Sequence, residues 1–360
     1  MTVDDIALAR LRNQWITASR AGTVTDVVSR MGALQAQDYA MAKWAVGLRL
    51  PGSTERDVES AVDNGDIIRI HLLRPTWHFV AAEDLRWMLA LTAPQIVASF
   101  RTRHRQLGLS EGVLNESSAV IERALHREPA MTRDELVAEL SKAGIATDGN
   151  RASHLMTVAE LRGIACSGPI RNGRPTYALL EARIPKSVQV SREEALVRLA
   201  SRYYTSHGPA TLQDFVWWSG LSVGDARRAL AGAKPDLVSE EIGAQTYWFA
   251  DPTPMVQADK HTVHLLPAYD EFLISYRDRS ASLPPKDFGR AVSDNGVFRP
   301  TIVADGQVVG LWKRAAKGHR ILVETDLFAP QNDSWGAVLS EAMARYGCFL
   351  ERKVEAGNGA

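Results

Sequence analysis

Between residues 118 and 180 the hydrophobic positions change period in a way that defines one unit. Apolar residues recur at helical spacing over Ser118–Leu125. Thr132, with Glu135 three positions on, reads as a capping box, and the helix behind it runs through Leu136, Val137 and Leu140 to Gly144. Leu155, Val158 and Leu161 place a third helix over Arg151–Arg162. Gly163 then stops the helical period. Two alternating runs, Ile164–Cys166 and Thr176–Leu180, flank Arg171-Asn172-Gly173-Arg174, and Asn-Gly between apolar strands is a strong hairpin signal. Three helices followed by a two-stranded wing describe a winged helix.

The same order returns roughly 75 residues later. Glu193–Tyr204 is a helix, Thr211-Leu212-Gln213-Asp214 caps a second, and Ser222–Leu230 forms the third; a wing runs over Leu237–Glu241 and Thr246–Phe249, turning at Gly243. The N-terminal segment fits with an insertion. Its helices are Ile6–Ala18, Thr25–Met31 and Ala40–Leu48, an extra helix covers Thr54–Asn64, and a wing over Ile67–Val80 turns near Leu73-Arg74-Pro75. One long helical stretch, Ala82–Leu107, leads to the second unit. Beyond about residue 255 the period shortens to that of strands: His261–Leu266, then a hairpin of Val297–Val303 with Val308–Trp312 turning on Asp305-Gly306, then Arg320–Glu324. A helix from Trp335 to Tyr346 closes the chain, Pro284–Asp287 is an exposed loop, and Glu355–Ala360 is expected to be disordered. The expected fold is therefore α+β and mainly α, with three tandem winged helices forming a curved DNA-binding surface and a C-terminal β-rich region. The boundaries fall at 1–108, 109–185, 186–254 and 255–360.

Composition narrows the class. At 360 residues, 45% hydrophobic and 23% charged, the chain is an ordinary globular protein. No apolar run approaches the ~20 residues of a membrane span, and the acidic start Met1–Ile6 is unlike a signal peptide. Two distant cysteines, Cys166 and Cys348, make neither a disulfide framework nor a metal cluster. His261 and His264 point opposite ways on a strand, so no metal and no cofactor is expected, and the setting is expected to be cytoplasmic. Zero net charge argues against a simple nucleic-acid binder. Basic clusters at Arg101–Arg105 and Lys313–Arg320 point the other way, and arginine richness equally suits a GC-rich genome.

The chemistry centres on Gln35-Ala36-Gln37, just past Gly32. On a continuous helix two glutamines at i and i+2 diverge by about 200°; on an extended backbone they share a side. Alone, the tripeptide equally describes a polar helix start or a surface turn. If the first wing turns around Leu73-Arg74, alternation puts Arg69, His71, Thr76 and His78 on one face and leaves Arg74 at the tip to hold a phosphate. Solubility alone also explains polar residues there, and a one-residue slip would move every side chain. Asp270 and Glu271 are adjacent carboxylates that should diverge; Asp270 either faces a groove or pairs with Arg277 or Arg279. The sequence carries neither a glycine-rich phosphate loop nor a nucleophile elbow.

Together, Gly32–Gln37, Arg74-Pro75-Thr76-Trp77-His78, Leu265–Asp270 and Asn295–Pro300 make the chain resemble the AlkZ family of bacterial DNA glycosylases over about residues 5–350. The resemblance implies removal of N7-alkylated purines, with some members unhooking interstrand crosslinks, and a catalytic Gln-apolar-Gln motif at Gln35 and Gln37. It places this chain in the Gln-ending branch, whose members often protect producers of DNA-alkylating natural products. On this reading Arg69, Arg74, Thr76, His78, Arg277, Arg279 and Arg299 contact DNA, Asp38, His71 and Asp270 are accessory, and the Asp305-Gly306 hairpin enters the minor groove. The partner is double-stranded DNA carrying alkylated purines, met by a monomer, with no membrane. The competing reading is a non-catalytic tandem winged-helix DNA-binding protein or transcriptional regulator.

Overall fold

The computed structural model describes residues 2–184, 189–250, 262–318, 320–330 and 335–357. Helices α1 (Val3–Asn13) and α2 (Val24–Met31) each begin with a threonine capping box, Thr2 with Asp5 and Thr23 with Asp26. A two-residue strand β1 (Leu34–Gln35) follows, then α3 (Tyr39–Arg49), α4 (Glu55–Asn64), the hairpin β2 (Ile67–Leu72) and β3 (Thr76–Ala81), α5 (Ala82–Ser99) and α6 (Arg101–Gln106). The expected single helix over 82–107 breaks at Phe100, whose N–H reaches back only three residues, to the Val97 carbonyl. The second unit is α7 (Glu111–Arg127), β4 (Met131–Thr132), α8 (Arg133–Lys142), α9 (Arg151–Leu161), β5 (Ala165–Ser167), β6 (Thr176–Leu179) and α10 (Leu180–Arg183). Its capping box at Thr132 and Glu135 forms as expected. Asn172 and Gly173 both take positive φ, 52° and 72°, as a two-residue hairpin turn requires. Helix α7 starts seven residues earlier than its apolar pattern because Ser110 caps it.

The third unit is α11 (Arg192–His207), α12 (Leu212–Ser219), α13 (Val223–Ala233) and the hairpin β7 (Val238–Ile242) and β8 (Gln245–Phe249). The C-terminal region contains β9 (Val263–Leu266), α14 (Glu271–Ile274), α15 (Phe288–Ala291), β10 (Thr301–Ala304), β11 (Gln307–Lys317), β12 (Arg320–Leu327), α16 (Trp335–Leu350) and β13 (Lys353–Ala356). Its strands form one sheet in the order β13-β12-β11-β10-β9. Strand β13 corrects the expectation of a disordered tail from Glu355: it pairs in parallel with β12 from Arg320 to Val323. His261, His319 and residues 358–360 lie outside the described residues. The chain is mixed α+β, and no described helix is long and apolar enough to cross a membrane.

Three apolar cores organise these elements. The first joins α2, α3 and α4 to the C-terminal sheet and α16, so the two ends of the chain fold as one body. The second packs one face of β2–β3, through Ile68, Ile70 and Val80, against α5, α11, α12 and α13. The third belongs to the second unit alone. In the first core Gly47 of α3 runs against the buried Phe349 ring of α16, where a Cβ would collide with ring carbons. Gly47→Ala should therefore destabilise by about 1–3 kcal/mol through overpacking, outweighing the gain of up to about 1 kcal/mol in helix propensity. A lowered thermal midpoint checks this; an unchanged one would mean that Phe349 swings aside freely.

The expected register of the first hairpin fails here. The β2–β3 register pairs Arg69 with Phe79, Ile70 with His78, His71 with Trp77 and Leu72 with Thr76. The turn therefore holds three residues, Leu73-Arg74-Pro75, with Leu73 at φ 59°. That shift puts Thr76 and His78 on the face of Ile70 and Leu72, opposite Arg69 and His71. One end of the tip is enclosed: Leu73 is nearly inaccessible, and a Cβ on Gly220 would stand 2.5 Å from its carbonyl oxygen, whereas Arg74 is half-buried and Pro75 exposed. In the Asp305-Gly306 turn, Gly306 is buried, with a Cβ on it only 2.9 Å from that of Ala7 in α1, while Asp305 is exposed.

Candidate active site

The Gln35–Gln37 link is extended because both flanking helices end at defined residues. Gly32 stops α2 at φ 74°, and Asp38 starts α3 by accepting a bond from the Met41 N–H at 3.1 Å. Asp38, expected as an accessory group, is thus occupied as a helix cap. The link is tied down along its backbone. The Gln35 N–H donates to Glu271 Oε1 at 2.6 Å, and the Ala36 N–H donates to the Trp77 carbonyl at 2.7 Å. Arg69 donates Nε to the Ala36 carbonyl at 2.9 Å and Nη2 to the Gln37 carbonyl at 3.4 Å. Its guanidinium stacks on Trp77, 4.2 Å from the ring centroid. Arg69 is a clamp on the glutamine link, half-buried, and its pKa is lowered by that burial.

Strand β1 pairs with β3 so that Gln35 faces His78, and their side chains share a face with Thr76. Gln35 is only 5% exposed. Its Oε1 accepts from Arg74 Nη2 at 3.2 Å and from Thr76 Oγ1 at 3.4 Å. Arginine has only donors, so it is the amide oxygen that faces Arg74 and the Nε2 end that remains for another partner. Arg74, expected at the hairpin tip to hold a phosphate, is half-buried there and donates one nitrogen to Gln35. Its pKa is lowered by burial. His78 is fully buried and donates through Nδ1 to the Thr76 carbonyl at 3.0 Å, with burial and then Arg74 pushing its pKa down to about 3. It is a neutral ring beside Gln35. Gln37 is exposed.

Beneath the link lies Glu271, 1% exposed. Besides Gln35 it accepts from Trp218 Nε1 at 3.2 Å and from the Ser275 hydroxyl, and His207 Nε2 stands 3.6 Å away. Burial works against its charge, but the His207 ring and the donors more than make up for it and hold the carboxyl at about 2. Burial also lowers the pKa of His207, so near neutrality its ring is uncharged and the N–H and O–H donors carry the carboxylate. Sequence reasoning considered Glu271 only as the neighbour of Asp270, and the partners that mark it, Trp218 and His207, come from distant parts of the chain.

Other expected residues are placed elsewhere. Asp270 forms a buried bidentate pair with Arg49, both bonds 2.9 Å, rather than with Arg277 or Arg279. His71 donates its backbone N–H to Glu160 Oε2 and holds the same oxygen with Nδ1, each at 2.8 Å, joining the first hairpin to α9. Arg277 is exposed and reaches Gln213 at 3.0 Å; Arg299 is exposed and reaches the Arg290 carbonyl at 3.1 Å. Arg279 rejoins the site, with its guanidinium 5.3 Å from the Trp217 ring and that of Arg74 5.6 Å from the same ring. Among the described residues there is no cluster of three or more His, Cys, Asp or Glu side chains able to hold a metal ion.

The two glutamines thus lie on a fixed link of the first of three helix-and-hairpin units, with Arg69 and Arg74 bonded to it. The family model "DNA glycosylase AlkZ-like" matches residues 28–349, and the chain belongs to this family of DNA glycosylases. It is 24% identical over 326 residues to the "Interstrand DNA cross-link repair glycosylase" of Streptomyces sahachiroi, covering 84% of this chain and 85% of that one. The solved structure of "Streptomyces sahachiroi DNA glycosylase AlkZ" superposes with a TM-score of 0.81 at 20% identity, covering 99% of this chain and 100% of that one, which establishes a shared fold.

Proposed function

We propose that this glycosylase hydrolyses the N-glycosidic bond of N7-alkylated purines in duplex DNA, including bulky adducts and interstrand crosslinks, acting as a monomer in the cytoplasm. Its three helix–helix–helix–hairpin units are read as tandem winged helices on a curved DNA surface. The observation that carries the reading is the fixed amide of Gln35. N7 alkylation makes guanine cationic, so when the C1′–N9 bond breaks its electron pair neutralises a base already primed to leave. Water then adds to the oxocarbenium-like C1′ and loses a proton to solvent. With such a leaving group, the protein's task is to hold that water in line. Gln35 has its oxygen engaged by Arg74 and Thr76, so it offers Nε2–H as donor. Gln37, exposed beside it, supplies the accepting carbonyl. Arg69 and Glu271 keep the backbone between the two amides from moving.

The test is abasic-site formation on a duplex with a single N7-methylguanine and on one with an N7-linked interstrand crosslink. Alkali-labile cleavage of either is expected. Tight, salt-sensitive binding with no cleavage of both would overturn the enzymatic reading of this chain and favour the regulator.

A further inference from the structure

Trp217 is unusual among the large apolar side chains in being 40% exposed. It sits on α12 next to the buried Trp218, and its ring is pinned by Nε1 donating to the Ile274 carbonyl at 2.8 Å. The ring is flanked by two like charges, the guanidiniums of Arg74 at 5.6 Å and Arg279 at 5.3 Å from its centroid. Arg279 extends the surface towards Phe298, 5.0 Å away, and the exposed Phe288, 6.0 Å away. At the other end Arg74 touches Gln35. The line therefore runs from the candidate water-holding amide, through one arginine, to a partly exposed indole and a second arginine.

Cation–π contact alone accounts for one arginine on a surface tryptophan. It does not account for two. Arg279 is pushed down to about 10, first by burial and then by repulsion from Arg74, and Arg74 Nε is buried without a hydrogen-bond partner among the described residues. Gathering two half-buried cations around an exposed ring costs free energy that an anion would return. A phosphate–sugar–base unit matches both features, with acceptor oxygens for the guanidiniums and a π face for the indole.

We propose that Trp217 is a stacking platform for an unpaired nucleobase of the damaged duplex, with Arg74 and Arg279 receiving the phosphates on either side of that nucleotide. The proposal rests on the DNA glycosylase reading for the identity of the polymer, and not on the chemistry of the glutamines. It also gives α12 of the third unit a role beside a site built on the first.

The test uses equilibrium binding, which needs no turnover. Wild type, Trp217→Ala, Trp217→Phe and Arg279→Gln are titrated with a duplex carrying a tetrahydrofuran abasic analogue opposite an unpaired base, and with a fully paired duplex of the same sequence. Stacking of one base is worth about 1–3 kcal/mol. Trp217→Ala should therefore lose about 5–150-fold in affinity for the first duplex and clearly less for the second. Trp217→Phe, which keeps a ring, should retain most of the difference. Arg279→Gln should weaken both and reduce the salt slope by about one. Equal affinities of wild type and Trp217→Ala, or an equal loss on both duplexes, would overturn the platform. Failure of wild type to release a base from both the N7-methylguanine and the crosslinked duplex, with the Trp217 discrimination intact, would sink the hydrolytic reading and leave the platform standing.

Discussion

Gln37→Ala is expected to slow base release from an N7-methylguanine duplex by about 10²–10³-fold under single-turnover conditions, the range for removing one preorganised polar group from a transition state, with duplex affinity unchanged. On the proposed mechanism the exposed amide of Gln37 acts as the acceptor that orients water in the transition state and not as a duplex contact. The two glutamines are not equivalent, and that asymmetry supplies the sharper experiment. Gln35→Glu keeps size, shape and an oxygen for Arg74 and Thr76 but removes the Nε2–H donor. It should lose activity on the scale of the alanine variant. Gln37→Glu keeps and strengthens the acceptor and should stay active. Two active glutamate variants, or two dead ones, would refute the division into donor and acceptor, although not the motif. Loss of DNA affinity in step with turnover in Gln37→Ala would instead show that Gln37 binds DNA and leaves catalysis alone.

What could be read from the chain depended on how local the determining physics was. The capping box at Thr132 and Glu135 and the Asn172-Gly173 turn are decided by residues within four positions of each other, and both form where expected. At the Gln35–Gln37 link the break after α2 was legible from Gly32, while the Asp38 cap that starts the next helix was not read. The first hairpin was misread by one residue. Leu73 carries no turn signature; it takes a positive φ because the tip is enclosed against Gly220, which lies 147 positions away. Strand β13 has no strong pattern of its own and exists because β12 offers it an edge. At Asp270-Glu271 the divergence of adjacent carboxylates was expected, but which one turned to the glutamines was settled by the distant Arg49 capturing Asp270.

Glu271→Gln should lower stability at pH 7, with the deficit shrinking in acid. The folded-state carboxyl titrates at about 2, below its ordinary value of 4.5. Its charged form is therefore favoured by folding. That contribution is complete above about pH 5 and is lost as the pH falls through the interval down to about 2. Glutamine resembles the protonated acid in shape, so wild type and variant should converge at the acid end of that interval. The difference between the two stability curves is the informative quantity, since Asp26, Asp225 and other surface carboxylates with lowered pKa titrate in both proteins and cancel. Denaturant unfolding between pH 2.5 and 7 measures it. A difference that stays constant with pH would mean that the substitution acts through packing and not through charge. The effect also reaches the site, because the residue that loses its charge is the acceptor for the Gln35 N–H. A neutral Oε1 at position 271 holds that N–H less strongly than a carboxylate does, and an Nε2–H₂ flipped into its place would repel it. Glu271→Gln should therefore slow base release through a looser water-holding amide. Raising the stability of the variant with a surface mutation elsewhere should not restore the rate; if it did, Glu271 would serve the fold alone.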